Sequence, residues 1–237
     1  MKPRILHIIS GIHNTGAGKQ LRLLAQGLPG DQFDLHICVL DGMAVSCATS
    51  VPPCATGVST ELSSIGVPVT VISKRWKYDP KTFWELKRLV DRLRPKVIHA
   101  WTSAANAYGL AAAKTTGVTR FVAGYGCVDP FISGPRLAID RYIGKHCVQL
   151  TANSIGVRDF YIRKGLPAEK FRIIPGGVEP SRPSTTTRRQ LMAELGLPEN
   201  SRLIGLVSEL LLRNRVKDAI WAADLLKVIR KDVHLLI

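Results

Sequence analysis

Residues 5–28 read ILHIISGIHNTGAGKQLRLLAQGL, and their pattern decides the fold. An apolar run, Arg4 to Ser10, meets a glycine-rich turn; from Gly16 to Leu28 leucines then recur at helical spacing. Between a strand and a helix is where phosphate-binding loops sit, because exposed backbone N–H groups and the helix dipole both favour an anion. The same alternation continues downstream. Strands are expected at Asp34–Leu40, Val67–Ile72, Val97–Trp101, Thr119–Ala123, Val148–Ala152 and Phe171–Ile174. Helices are expected at Val58–Ile65, Pro80–Leu93, Ala104–Thr115 and Arg136–Lys145, with a last one capped by Ser154 and stopped at Gly165. Short apolar runs alternating with amphipathic stretches predict an α/β fold, a Rossmann-like parallel sheet with helices on both faces.

The character of the chain changes after residue 178. The segment EPSRPSTTTRR, from Glu179 to Arg189, has little to bury and reads as a linker, which we extend to residue 200. Beyond it a strand at Leu203–Val207, a helix at Val216–Arg230 and a strand at Val233–Ile237 begin a second βαβ unit. Two strands and a helix cannot enclose a core. The expected organisation is therefore a first domain over 1–178, a linker over 179–200, and a truncated second Rossmann-like domain over 201–237.

Composition narrows the function classes less than it narrows the fold. With 46% hydrophobic and 22% charged residues, the sequence has an ordinary globular composition. No apolar run approaches the roughly 18–20 residues of a membrane span, and the short apolar start, broken at Gly11, argues against a signal peptide. Five cysteines without C-x-x-C spacing predict reduced thiols and no zinc site, hence a cytoplasmic protein. The formal charge is +15, densest along Lys74, Arg75, Lys77, Lys81, Lys87, Arg88, Arg92, Arg94 and Lys96. Such a surface attracts anionic lipid, nucleic acid or phosphorylated substrates alike, or is a solvated helix face; an anionic membrane would place the protein peripherally at its inner face. Nucleic acid is not expected as a partner, since no basic–aromatic interleaving or helix-turn-helix pattern accompanies the charge.

The turn itself has two readings. Gly16-Ala17-Gly18-Lys19 approaches the G-x-x-x-x-G-K-[ST] pattern, but His13 stands at its first glycine and Gln20 at its magnesium-holding hydroxyl. A P-loop-like nucleotide-binding protein is therefore a lesser alternative, beside a structural turn without ligand.

Three further segments carry a resemblance. They are VIHAWTSAANAYGLAAAKTTGV (97–118), NSIGVRDFYIRKGLPAEKFRIIPGGVEP (153–180) and RLIGLVSELLLRNRVKDAIWAADLL (202–226). With residues 5–28, in this order and spacing, the chain resembles glycosyltransferase family 4, retaining enzymes of the two-domain GT-B fold. The resemblance implies metal-independent transfer of a hexose from a nucleotide-diphosphate sugar to a lipid-linked or polysaccharide acceptor, with no cofactor. Positive groups and helix N-termini would then stabilise the leaving diphosphate. It implies a catalytic role for His99, while Trp101 replaces the family's second histidine. Donor or acceptor binding would fall to Gly16, Ala17, Lys19, Asn106, Gly177, Arg213 and Arg215. The family's N-G-v-D turn reads Gly176, Gly177, Val178, Glu179. Its diphosphate-binding Arg and Lys are replaced by Glu209 and Asn214, which reverses the electrostatics there. These departures predict weak or no activity in the chain as it stands. They also keep open a non-catalytic, degenerate Rossmann-like binding domain.

Overall fold

The computed structural model describes residues 2–10, 16–42, 66–74, 79–180, 183–208, 210 and 214–237. They divide into two compact units, 1–178 and 179–237. The helix expected at Val58–Ile65 lies outside the described residues.

The first unit holds seven parallel strands: β1 (Arg4–Ile9), β2 (Asp34–Gly42), β3 (Val69–Lys74), β4 (Val97–Ala100), β5 (Phe121–Tyr125), β6 (Gln149–Ala152) and β7 (Phe171–Ile173). Five α-helices are described with them: α1 (Gly16–Gly27), α2 (Pro80–Leu93), α3 (Ser103–Thr116), α4 (Gly134–His146) and α5 (Ile155–Arg163). The sheet order is β3-β2-β1-β4-β5-β6-β7. The order reverses between β1 and β4. In open α/β sheets that reversal splays the two following connections apart and leaves a crevice at the carboxyl ends of the strands.

Local chemistry sets the element ends. Asp79 caps α2 by accepting from the Lys81 N–H at 2.9 Å, and Pro80 occupies the first helical turn, where its missing N–H is no loss. Ser154 caps α5 through Val157 N, and Gly117 closes α3 in the left-handed region at φ 76°. Two strands start two residues later than expected. Pro68 has no N–H to give, so the third ladder begins at Val69. Val118 still donates to Ala113 O in the cap of α3, so β5 begins only at Phe121.

The sheet is covered on both faces. Leu6 and Ile8 of β1 point into the larger core with Leu86 and Leu89 of α2 and Leu110 of α3. Ile9 of β1, with Ile37 and Val39 of β2, meets Leu21 and Ala25 of α1 on the other face. Each fully buried Leu or Ile contributes about 2 kcal/mol.

The second unit has two parallel strands, β8 (Arg202–Gly205) and β9 (Val233–Leu236), with α6 (Arg188–Glu194) and α7 (Val216–Ile229). The span read as a linker therefore needs correction, because it contains α6. The cause is a capping box: the Thr187 side chain accepts from Gln190 N, and Gln190 Oε1 accepts from Thr187 N at 2.8 Å. Helix α6 buries Met192. Along α7, Trp221, Leu225 and Val228 stay exposed.

Candidate functional site

The crevice at the sheet reversal is tied from both sides by short polar links. Trp101 N donates to Ile8 O at 2.9 Å, Ser10 N to Thr102 Oγ1 at 3.2 Å, and Thr102 Oγ1 to Ser10 Oγ at 2.8 Å. Because Thr102 spends its hydroxyl on Ser10, it makes no side-chain cap at the N-terminus of α3. Helix α1 opens beside it. Gly16 and Lys19 are exposed there, Ala17 is half-buried, and Gly18 is buried. An exposed first turn with a lysine on it favours an anion.

His99 stands beside His7 in the ladder between β4 and β1. The two rings lie 5.4 Å apart between centroids, and Trp101 lies 4.9 Å from His99 and 6.0 Å from His7. Trp101 Nε1 donates to His7 Nδ1 at 3.1 Å. That bond requires a neutral His7 with its proton on Nε2, a buried atom without a partner. Burial, aided by His99, pulls the His7 pKa down to about 3, and burial brings His99 down to about 4. At neutral pH the cluster is an uncharged aromatic wall. Trp101 thus occupies its position as a ring held by His7, and only reasoning across strands could have found that partner.

Asn106, in the first turn of α3, is fully buried, and its amide donates to Gly124 O at 3.0 Å. It ties the end of β5 to α3, and its Oδ1 is left without a partner. Gly124 must be glycine here, since a Cβ would stand 2.9 Å from Ala100 O. Gly177, on the loop after β7, meets α1: Gln20 Nε2 donates to Gly177 O, and Gly177 N donates to Gln20 Oε1, each at 2.7 Å.

Other residues at this edge carried no sequence signal. Arg136 at the start of α4 donates to Asp129 Oδ2 at 2.5 Å and to Ser103 Oγ at 2.9 Å, joining the β4 and β5 loops. Tyr125 donates to Asp140 Oδ1 at 3.1 Å, and burial pushes the Asp140 carboxyl up to about 6. Phe131, on the same loop, is almost wholly exposed. A depression of about 680 Å³ lined by Arg94, Lys96, Thr116 and Thr119 lies at the opposite edge of the sheet, away from this constellation.

In the second unit Arg215 has φ 52° and pairs with Asp218 in the first turn of α7. Asn214 is exposed, and Glu209 and Arg213 lie outside the described residues. Among the described residues, no group of three or more His, Cys, Asp or Glu converges to hold a metal. No described helix is long and apolar enough to cross a membrane.

An open seven-stranded parallel sheet with helices on both faces, reversing its order between β1 and β4, is a Rossmann-like domain of the type that builds GT-B proteins. Residues 14–182 match Glycosyltransferase Family 4, and the chain belongs to that family. No curated protein sequence matches the chain. Among solved structures it is similar to Anabaena HepE in complex with UDP-glucose, at 19% identity and a TM-score of 0.74, over 98% of this chain and 59% of that one. The complex of the same protein with UDP and glucose gives 19% identity and a TM-score of 0.73, over 98% of this chain and 60% of that one. A UDP-N-acetylglucosamine 2-epimerase is similar at 11% identity and a TM-score of 0.59, over 99% of this chain and 63% of that one. At these identities the likeness is one of fold. The chain spans about 60% of the HepE chains it matches.

Proposed function

We propose that this chain is the acceptor-side domain, with the opening of the donor-side domain, of a GT-B hexosyltransferase that uses a nucleotide-diphosphate sugar. The observation that carries this reading is the crevice between β1 and β4, with the exposed first turn of α1 on one side and the His7–His99–Trp101 wall on the other. In it, the N–H groups of Gly16 and Ala17, together with Lys19, would meet the diphosphate. Trp101 and His99 would bound the sugar. With a pKa of about 4, His99 is uncharged at pH 7, so its part is to position a ring or a hydroxyl rather than to supply a cation. The acceptor, a lipid-linked or polysaccharide hydroxyl, would enter past Arg136 at the start of α4 and Phe131 on the loop before it. The HepE complexes hold UDP and UDP-glucose, which supports a uridine nucleotide as the donor to try first.

Glu209 and Asn214 favour a second reading, a binding domain without catalysis, because a carboxylate there repels a diphosphate. Both readings predict no turnover by the 237-residue chain, and robust transfer by it would overturn the inactivity we propose. Titration with UDP-glucose followed by amide NMR separates them. Shifts confined to residues 16–19 and 99–102, at millimolar ligand, are expected for the transferase reading. A titration without shifts there would sink it.

We also propose a cytoplasmic location with peripheral contact to an anionic membrane through α2. Lys81 and Lys87 of this helix are partly neutralised by Glu85 and Asp91, but Arg88 and Arg92 are exposed, and Trp84 lies exposed one turn before Arg88. Each cation near such a surface contributes about 1 kcal/mol, so reversing two of them (R88E/R92E) should lower partition onto anionic vesicles by about tenfold or more. Binding should also weaken as salt rises. Partition unaffected by both changes would remove the membrane contact.

A further inference from the structure

The described part of the first unit ends on a contact that its strands and helices do not require. Gln20 sits one turn into α1, and Gly177 stands next to the last residue of the unit, 157 positions away. The Gln20 amide meets both backbone groups of Gly177, donating to its carbonyl and accepting from its N–H at 2.7 Å each. The pairing resembles that between two strands, made by one side chain. Gly176 lies flat against the same amide: a Cβ there would stand 3.2 Å from Gln20 Cδ and 3.3 Å from Oε1. At Gly177 a Cβ would be 4.0 Å from Oε1 and would not crowd it.

We infer that Gln20 and Gly176 form one device, an amide clasp that fixes where the chain leaves the first unit. Gln20 is the positioning residue, and Gly176 is glycine so that the amide can approach. The preceding anchor of this loop is Ile174 N, which donates to Ala152 O at 2.8 Å as the sheet ends. The clasp carries the fixed backbone three residues further, to Gly177, beside the last residue of the first unit. It also occupies the N–H of Gly177, so an anion seeking that amide must first displace Gln20. The residue that breaks the P-loop pattern at position 20 and the glycine at position 176 then have a common reason. The inference does not depend on what the crevice binds.

Amide hydrogen exchange of the whole chain tests it. Replacing Gln20 by methionine keeps the length of the side chain and removes both bonds. Exchange at Gly177 should rise about tenfold while Ile174 and the amides of α1 keep their rates. Gln20→Glu keeps an acceptor for the Gly177 N–H but sets a carboxylate oxygen against the Gly177 carbonyl, so its protection at that amide should fall between those of the parent and the methionine variant. Gly176→Asn should release the clasp as Gln20→Met does, and Gly177→Ala should keep the protection of amide 177 within about threefold of the parent. Unchanged exchange at Gly177 in Gln20→Met would overturn the inference. A merely space-filling residue 20 would give that result, since methionine fills the same space.

Discussion

Gly109→Leu is expected to cost the first unit about 3 kcal/mol or more, a large share of the roughly 5–15 kcal/mol that holds a domain folded. At Gly109 α3 packs directly against the sheet. A Cβ there would stand 2.8 Å from Phe121 Cε2 and 3.3 Å from Ile8 Cδ1, with Ala100 Cβ at 3.5 Å. Neither large neighbour can yield: Phe121 is 2% exposed and Ile8 0%, both inside the main core. The helix must therefore lift, and lifting it also strains Asn106, whose amide holds Gly124 O three residues earlier on α3. Alanine at the same site gives a graded version. Its better helix propensity, about 1 kcal/mol, offsets part of the overlap, so a loss of about 1–2 kcal/mol is expected. Gly156→Ala on α5 serves as the control, because a Cβ there meets nothing within 4 Å, and a gain of about 0.5–1 kcal/mol is expected. Urea unfolding followed by circular dichroism reads all three. A leucine variant within 1 kcal/mol of the parent would show that α3 and β5 are not packed as described.

What was legible in the sequence was whatever neighbours in the chain decide. Helix α2 runs over the expected Pro80–Leu93 because Asp79, Pro80 and the apolar stripe all act within a few residues of one another. Ser154 and Gly165 bound α5 for the same reason, Gly165 at φ 92°. Helix α6 was hidden although its signal is local: Thr187 and Gln190 form the box, but the surrounding Ser, Pro and Arg composition reads as unstructured. The site was legible only in outline. Its place, after β1 and after β4, follows from the alternation of elements. Its side-chain partners do not, since His7 with Trp101, Arg136 with Ser103, and Gln20 with Gly177 are joined by sheet register and crossover, not by spacing. Asn106 shows the consequence. Its position in the motif suggests ligand contact, and the structure gives its amide to a backbone carbonyl in the core.

Buried His7 and half-buried His99 should make the first unit acid-labile, with a proton count that can be predicted. His7 and His99 are held in the folded chain at about 3 and about 4, against 6.5 when exposed. Folded pKa values below the unfolded ones mean that the unfolded chain takes protons first. The stability is fully present above pH 6.5 and is lost as the pH falls toward 4. Between pH 6 and 4.5 unfolding takes up about two protons at these sites, a loss of about 3 kcal/mol per pH unit. Half-buried His36 is also shifted downward, by its own burial and by Arg92 and Arg4, and acts in the same direction. Asp140 opposes them. Burial raises its carboxyl from 3.8 to about 6, so in the same window the folded chain holds a proton that the unfolded chain has released. That contribution is present below pH 4 and is lost as the pH rises through 6. It cancels about one proton, leaving a net fall of about 1 kcal/mol per unit. Two variants resolve the parts. Asp140→Asn keeps an oxygen to accept from Tyr125 and removes the opposing site, so the slope should steepen by about one proton. His99→Gln should make it shallower by about one. Urea unfolding at pH 7, 6 and 5 measures the slopes directly, and one that neither substitution changes would mean that these rings and this carboxyl are not buried from solvent in the folded chain.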